Sequence, residues 1–376
     1  MAMTDKLKQK ISDLLSEADV KINGKRPWDI QVHNENFYRR VLSQGALGLG
    51  ESYMEGWWDA EKLDEFFNHI LKAKLDKKVR TFSFLLQTIK AILLNPQRKS
   101  KAFEIGEHHY DIGNELYKIM LDKRLTYTCG YWKNSKDLDS AQEAKLNLVC
   151  RKIGLKPGMT VLDIGCGWGS FAKYAAEKYG ARVTGITVSK AQVELGRKLC
   201  KGLPVKFQLI DYRDIKGKYD RVVSLGMFEH VGYKNYRKYM EIVHRVLKDN
   251  GIFLLHTIGG SISVKSNNPW TEKYIFPNSM IPSASQISKA YEGLFVMEDW
   301  HNFGADYDKT LMAWHNNFNK GWEKLKIKHK KYDERFKRMW NYYLLSSAGS
   351  FRARNIQLWQ IVLSKNGVPG GYNSIR

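Results

Sequence analysis

The sequence predicts an α/β protein: a doubly wound, mainly parallel seven-stranded sheet, preceded by a small, mostly helical N-terminal domain. Three observations carry this expectation. From Met159 onward, short apolar runs alternate with amphipathic stretches, the pattern of strands linked by crossover helices. A glycine-rich turn joins the first apolar run to the stretch that follows it. Residues 1–95 instead show apolar side chains at helical spacing.

In the N-terminal part, Leu7, Ile11, Leu14 and Leu15 form one apolar face. A second runs through Phe82, Phe84, Leu85, Leu86, Ile89, Ile92, Leu93 and Leu94, beside Lys72, Lys74, Lys77, Lys78 and Arg80. It reads equally as the core of a small domain or as an interfacial helix. Pro96 then stops a helix, and Arg98, Lys99 and Lys101 follow it. The expected division is therefore a helical domain over 1–95, a linker over 96–103 and a catalytic domain over 104–376.

Within that last domain MTVLDI (159–164) is the first strand and SFAKYAAEKYG (170–180) the first helix, closed by Gly180. ARVTGITVS, KAQVELGRKLC, VKFQLI and DRVVSL read as strand, helix, strand and strand. KNYRKYMEIVHRVLKDNG is expected to be a helix ended by Gly251, with IFLLHTI the next strand. A helical insertion is expected over 260–290, and LFVMEDW (294–300) and KTLMAW (309–314) as late strands completing the sheet.

Composition narrows the classes. With 376 residues, 43% of them apolar and 12% aromatic, the chain can bury a sizeable core. Its net charge of +22 points to an anionic partner, either nucleic acid or an acidic membrane surface. The four cysteines, Cys129, Cys150, Cys166 and Cys200, have neither CxxC nor Cys/His spacing, so no disulfide scaffold and no metal site are expected. No run of 18 apolar residues is present, and charges interrupt MAMTDKLKQKISDLL where a signal peptide has an apolar core. A soluble, intracellular protein is expected.

The motif richest in chemistry is VLDIGCGWG (161–169), where strand meets helix. Asp163 ends the strand, and Gly165, Gly167 and Gly169 let backbone approach a ligand. Its spacing differs from GxGxxG and resembles the adenosylmethionine-binding turn of class I methyltransferases. The second strand ends in ITVSKAQ, offering Thr187, Ser189 and Gln192 in place of the acidic residue common there.

The resemblance becomes specific with YTCGYW (127–132), SLGMFEHVG (224–232), LLHTIG (254–259), EDWHNFGADYDKTLMAW (298–314) and FRARNIQLWQ (351–360). Together with DIGCGWG and GLGESYMEGWW (48–58), these resemble the bacterial cyclopropane-fatty-acyl-phospholipid synthases, over nearly the whole chain. The resemblance implies methyl transfer from S-adenosylmethionine to a cis double bond of an unsaturated phospholipid acyl chain, followed by proton loss and ring closure. It implies a bound bicarbonate as base, caged by Cys129, Glu229, His256, Tyr307 and the backbone of Ile258. For the cofactor it implies Tyr127, Thr128, Asp163, Gly165, Cys166, Gly167, Gly169, Thr187, Ser189, Gln192, Asp211, Tyr212 and Arg213. It further implies a lipid-binding N-terminal domain, a homodimer, and peripheral attachment to the inner, cytoplasmic face of an anionic membrane. Ser347 stands where some members carry a reactive cysteine, so a covalent cysteine mechanism is not available there.

The cage is chemically coherent, because imidazole, phenol and backbone N–H can donate to an anion while Glu229 accepts its O–H. Each residue has a plainer reading: Cys129 as a small core residue, His256 as a satisfied core histidine, Tyr307 as packing, Asp211 as a surface carboxylate. A carboxylate buried at Glu229 without a role would be costly. Lys320, Lys324, Lys326, Lys328, Lys330, Lys331, Lys337 and Arg338 form a basic stretch that either faces solvent or docks on an anionic leaflet. Three rivals remain: a relative that ends in a methyl branch or methylene, a nucleic-acid methyltransferase, and a catalytically dead lipid-binding protein, against which the intact glycine turn argues. No RNP, KH or zinc signature accompanies the second, and SLGMFEH lacks the proline-rich tetrapeptide of amino-group methylases.

Overall fold

A computed structural model describes residues 3–78, 95, 97 and 113–376. The apolar stretch over 82–94 and most of the expected linker lie outside the described residues. The chain first forms α1 (Met3–Ser16), β1 (Gln31–Val32), α2 (Asn36–Gln44), α3 (Ala46–Met54), β2 (Trp58–Asp59), α4 (Leu63–Lys72) and α5 (Leu75–Lys78). Then come α6 (Asn114–Met120), α7 (Leu138–Lys152), β3 (Thr160–Ile164), α8 (Ser170–Tyr179), β4 (Arg182–Thr187), α9 (Lys190–Leu199), β5 (Val205–Leu209) and β6 (Tyr219–Leu225). The rest is α10 (Tyr236–Val246), β7 (Leu247–Gly260), α11 (Pro269–Tyr274), α12 (Ala284–Tyr291), β8 (Val296–Asn302), α13 (Ala305–Lys326), α14 (Glu334–Arg352) and β9 (Ile356–Ser364).

These elements form two compact units, and the division is not the one expected. The first unit takes in the N-terminal segment together with Lys265–Pro277 and Tyr307–Ile356. The second holds Asn95–Val264, Asn278–Asp306 and Gln357–Arg376. Close packing explains why later segments join the first unit. A side chain at Gly50 of α3 would come within 2.3 Å of the Trp270 indole of α11. One at Gly349 of α14 would meet the Asp64 carbonyl of α4 at 2.5 Å. Arg352 then binds both Asp308 oxygens at 2.9 Å, Asp64 at 2.6 Å and Glu65 at 2.5 Å. Arg338 donates to the carbonyls of Tyr53 and Trp58 and to Asp59, so it is not part of a free basic face.

KTLMAW is not a strand. It lies within α13, where Tyr307, Leu311, Trp314, Phe318, Trp322 and Leu325 are buried at intervals of three and four. The sheet is completed instead by β9, and the order is β5-β4-β3-β6-β7-β9-β8. The pairs β3–β4, β3–β6, β4–β5 and β6–β7 are parallel, and β8–β9 is antiparallel. The expected helix to Gly251 also stops early. α10 ends at Val246, and Gly251 lies inside β7 beside a register shift opposite Tyr219 and Arg221. α11 and α12 account for the expected helical insertion. The main core packs Leu162, Ile164, Val222, Phe253 and Leu255 of the sheet against Tyr239, Met240 and Val243 of α10. Among the described residues no helix is long and apolar enough to cross a membrane, and no group of metal-binding side chains gathers.

Candidate active site

The glycine turn leaves β3 at the carboxyl edge of the sheet, where doubly wound folds bind ligands. The N–H groups of Gly165 and Cys166 both bond the Ile186 carbonyl at 3.0 Å, pinning the turn to β4. Gly165, Gly167 and Gly169 all have φ in the left-handed region, at 77°, 56° and 87°. Packing alone accounts for two of them. A Cβ at Gly165 would lie 2.7 Å from Met227, and one at Gly169 would lie 2.5 Å from Phe207. At Gly167 it would meet, among the described residues, only the Gln192 Nε2 at 3.7 Å, so packing by these residues does not require a glycine there.

Around that turn, Thr187 Oγ1 donates to Gln192 Oε1 at 2.6 Å and accepts from the Ser189 N–H at 3.2 Å. Ser189 also caps α9 by accepting from the Gln192 N–H. Asp163 is buried, its Oδ2 has no hydrogen-bond partner among the described residues, and burial pushes its carboxyl up to about 7 against the opposing charge of Lys145. Asp211 is not a surface carboxylate: it is 3% exposed, caps the following turn and binds Arg213 Nη1 at 3.0 Å and 3.2 Å. Arg213 in turn holds the Gln97 carbonyl at 2.7 Å. The Tyr212 ring belongs to the core, 5.1 Å from Tyr239.

Residues 113–130 fold over this turn. Trp168 Nε1 donates to Asn114 Oδ1 at 3.2 Å, Thr126 and Ser170 share a hydroxyl bond of 2.5 Å, and Tyr117 lies between Tyr127 and Trp168. Gln142 Nε2 of α7 donates to the Thr128 carbonyl at 2.7 Å, and Lys145 Nζ donates to Thr128 Oγ1 at 2.7 Å. The Thr128 methyl reaches Gly226, where a Cβ would come within 2.6 Å of it. Gly226 donates to the His256 carbonyl at 2.9 Å. The segment carrying Cys129 is thereby set against the carboxyl ends of β6 and β7.

At those ends sit the buried acid and base. Glu229 lies in a tight turn just beyond β6, and its Oε1 accepts from the Ile258 N–H at 2.7 Å. That amide is already engaged by Glu229, so Ile258 enters the arrangement by orienting the carboxylate. Full burial pushes Glu229 up to about 7, against the opposing Ile258 hydrogen bond, and Oε2 has no partner among the described residues. His256 lies on β7 with Nδ1 3.3 Å from Gln360 Nε2 of β9. Its Nε2 likewise has no partner among the described residues. Burial, with Lys145 and Lys152 adding positive charge nearby, holds the imidazole well below its usual pKa, so it is neutral. Phe303 packs 5.9 Å from the His256 ring and 5.3 Å from Tyr131. Cys129 is fully buried, with Sγ 3.1 Å from the Gly130 carbonyl.

A buried carboxylate oxygen and a buried imidazole nitrogen, both unanswered, fit a small oxyanion that offers an O–H to one and accepts from the other. Asp163 Oδ2 and the backbone at Gly167 likewise fit an adenosylmethionine-type ligand at the glycine turn. Tyr307 belongs to the other unit, stacked 4.5 Å from Phe351, and Ser347 lies on α14 of that same unit. A cavity of about 380 Å³ near the end of β7 is lined by Ser261, Ser263, Ser283, Trp300 and Trp359, and not by the cage residues. The sequence reading missed Lys145, Gln142 and Gln360. Lys145 had a signal: with Ala141, Val149 and Lys152 it falls on the apolar face of α7 at helical spacing.

Residues 97–361 match the family described as mycolic acid cyclopropane synthetase. The chain is 51% identical over 366 residues to the cyclopropane-fatty-acyl-phospholipid synthase of Escherichia coli (strain K12), covering 97% of this chain and 95% of that protein. It is 30% identical over 354 residues to a tuberculostearic acid methyltransferase of Mycobacterium tuberculosis, covering 88% of this chain and 82% of that one. Among solved structures, the cyclopropane synthase MmaA2 from Mycobacterium tuberculosis aligns with a TM-score of 0.64 at 28% identity, over 70% of this chain and 98% of its own. The mycolic acid cyclopropane synthase CmaA1, solved with SAH and CTAB, aligns with a TM-score of 0.62 at 31% identity over the same shares.

Proposed function

The chain belongs to the mycolic acid cyclopropane synthetase family, and on that footing we propose that it is an S-adenosylmethionine-dependent C-methyltransferase that converts cis double bonds of phospholipid acyl chains into cyclopropane rings. One observation carries the reading. A buried carboxylate and a buried neutral imidazole, Glu229 and His256, stand at the carboxyl ends of adjacent strands, each with a polar atom that no described residue satisfies.

An isolated alkene is a weak nucleophile, so the reaction needs a strongly electrophilic methyl group and a base close by. When bound, the cofactor supplies that methyl and bicarbonate supplies an oxygen base. The alkene's π electrons take the methyl carbon as its bond to sulfur breaks, the sulfur keeping that electron pair in the departing S-adenosylhomocysteine, and a positive charge is left on the chain. Loss of a proton from the new methyl frees the C–H electron pair to close the ring. Gly167, Thr187, Ser189, Gln192 and Asp163 hold the cofactor; Asp211 and Arg213 shape the far side of its site. His256, neutral, donates from Nε2 to the anion, and ionised Glu229 accepts its O–H and aims it. Cys129 walls the same site beside Thr128; a role for Tyr307 rests on the resemblance alone. Phe303 and Tyr131 offer aromatic faces to the developing cation and help exclude water.

Peripheral membrane attachment and a homodimer belong to the same proposal. Ile327 is 86% exposed between Lys326 and Lys328, close in sequence to exposed Lys324, Lys330 and Lys331. An apolar tip ringed by cations suits an anionic leaflet. Light scattering of the purified protein tests the dimer.

The deciding experiment incubates vesicles of unsaturated anionic phospholipid with the protein and S-adenosylmethionine, then analyses the lipids by mass spectrometry. A gain of one CH2 per modified chain with resistance to ozonolysis is expected. A CH2 gain that stays ozone-sensitive points to methylation without closure, giving a methylene or methyl-branched alkene product. No gain, with cofactor binding intact, overturns the reading.

A further inference from the structure

α7 carries two buried lysines on one face, seven residues apart, and they are satisfied very differently. Lys152 Nζ lies 3.3 Å from Asp299 Oδ2 and 3.1 Å from His301 Nδ1. Lys145, equally buried, makes one hydrogen bond among the described residues, to Thr128 Oγ1 at 2.7 Å. Among the described residues no carboxylate lies within ion-pair distance of it. An ammonium carries three N–H donors and is strongly disfavoured in a dry interior unless answered.

Nearby carboxylates do not answer it. Asp122 is occupied by the N–H groups of Thr126 and Arg124 and by the Thr126 hydroxyl. Asp163 feels the charge of Lys145 without contacting it. Lys145 also acts electrostatically on Cys129 and His256. Through Thr128 it is one residue from Cys129, and through Thr128 and Gly226 it backs onto the His256 wall. An anion placed between Cys129, Glu229 and His256 would sit beside an ionised carboxylate with a neutral imidazole as its partner, so a countercharge is still needed.

We propose that Lys145 is a positioning residue of the anion site: its ammonium supplies the buried positive charge that holds a carbonate-type oxyanion between Cys129, Glu229 and His256, and its bond to Thr128 fixes the 126–130 segment that walls the site. This rests on the reading that the site takes bicarbonate. It makes Lys145 part of the site's electrostatics, although it lies outside every motif that marks the site in the sequence.

The test uses full-length wild type, K145M, K145R and T128V. In cofactor-free protein, the rise in melting temperature on adding sodium bicarbonate is measured against sodium chloride at equal ionic strength. Wild type should gain stability from bicarbonate, K145R should keep part of the gain, and K145M should lose it. In carbon dioxide-depleted buffer, K145M should need on the order of tenfold or more extra bicarbonate for half-maximal ring formation. S-adenosylhomocysteine affinity by calorimetry should match wild type. A K145M protein with a wild-type bicarbonate response overturns the proposal. So does one with lost cofactor affinity, which would assign Lys145 to the cofactor's carboxylate. Should K145M fail to fold, T128V decides: it keeps the charge but removes the tether, and an unchanged bicarbonate requirement overturns the proposal. If wild type responds to bicarbonate in neither assay, the bicarbonate reading itself fails and takes this inference with it.

Discussion

Gln360 Nε2 stands 3.3 Å from His256 Nδ1, and this contact chooses the histidine's tautomer. An amide nitrogen can only donate, so Nδ1 accepts and the ring proton sits on Nε2, the atom without a described partner. Q360A should therefore lower kcat by up to about tenfold, the worth of one orienting hydrogen bond, and leave S-adenosylhomocysteine affinity unchanged. H256A should lose more, on the order of a hundredfold. Steady-state kinetics and calorimetry on both variants check the pair.

Glu229 makes a pH statement. Its carboxyl rises from 4.5 in the unfolded chain to about 7 in the folded one, so between those values the native state holds a proton that the unfolded state has released, and above about 7 it is ionised in both. The stability this contributes is full below pH 4.5 and is lost as pH rises through 7. The loss amounts to about 3 kcal/mol across that window. E229Q cannot titrate, so its unfolding free energy should fall less steeply over the window than wild type's. Denaturant melts at several pH values measure the difference; parallel curves would remove Glu229 from the account.

Two of the turn glycines, Gly169 and Gly167, should separate. G169A forces a Cβ to within 2.5 Å of Phe207 and should unfold the protein at markedly lower temperature. G167A makes only an ordinary contact with Gln192 Nε2 at 3.7 Å among the described residues and carries the left-handed backbone cost of about 1–2 kcal/mol. It should fold, yet bind S-adenosylhomocysteine at least tenfold more weakly, because its methyl occupies the approach to the backbone. Calorimetry beside thermal melts distinguishes the two.

For the membrane, I327D should weaken binding to anionic vesicles roughly tenfold, and substituting Lys324, Lys326, Lys328 and Lys330 by Gln should remove about 1 kcal/mol per charge at low salt. Vesicle co-sedimentation at two salt concentrations reads both. Neither change should alter the melting temperature, since all five side chains are exposed.

The strands from MTVLDI to IFLLHTI were legible because each is a short apolar run between punctuating residues. The glycine turn was legible because three left-handed positions admit few other residues. KTLMAW misled for a local reason. Its six residues end in a short run of four apolar ones, which has no period of its own, and only the longer series from Tyr307 to Leu325 reveals the helical period. The cage residues came from a resemblance, since a lone Glu229 or His256 has no spacing that declares it. Lys145 went unread because lysine on a helix is expected to reach solvent, and the apolar face it shares becomes decisive only once its burial is known. The recruitment of Lys265–Pro277 and Tyr307–Ile356 into the first unit depends on close approaches at Gly50 and Gly349, which no local pattern encodes.

The strand order has a consequence for how the molecule is made. β9 lies between β7 and β8, although β8 leaves the ribosome 54 residues or so earlier. Until Ile356–Ser364 emerges, β8 has no neighbour to pair with and β7 presents a bare edge. The nascent chain must wait with that edge bare from the completion of β7 at Gly260 until Ser364 emerges, and closure of the sheet is gated by Ile356–Ser364. Such long-range pairing is slow to nucleate. Early termination or clipping within the final strand should therefore yield aggregated material in place of a shortened enzyme.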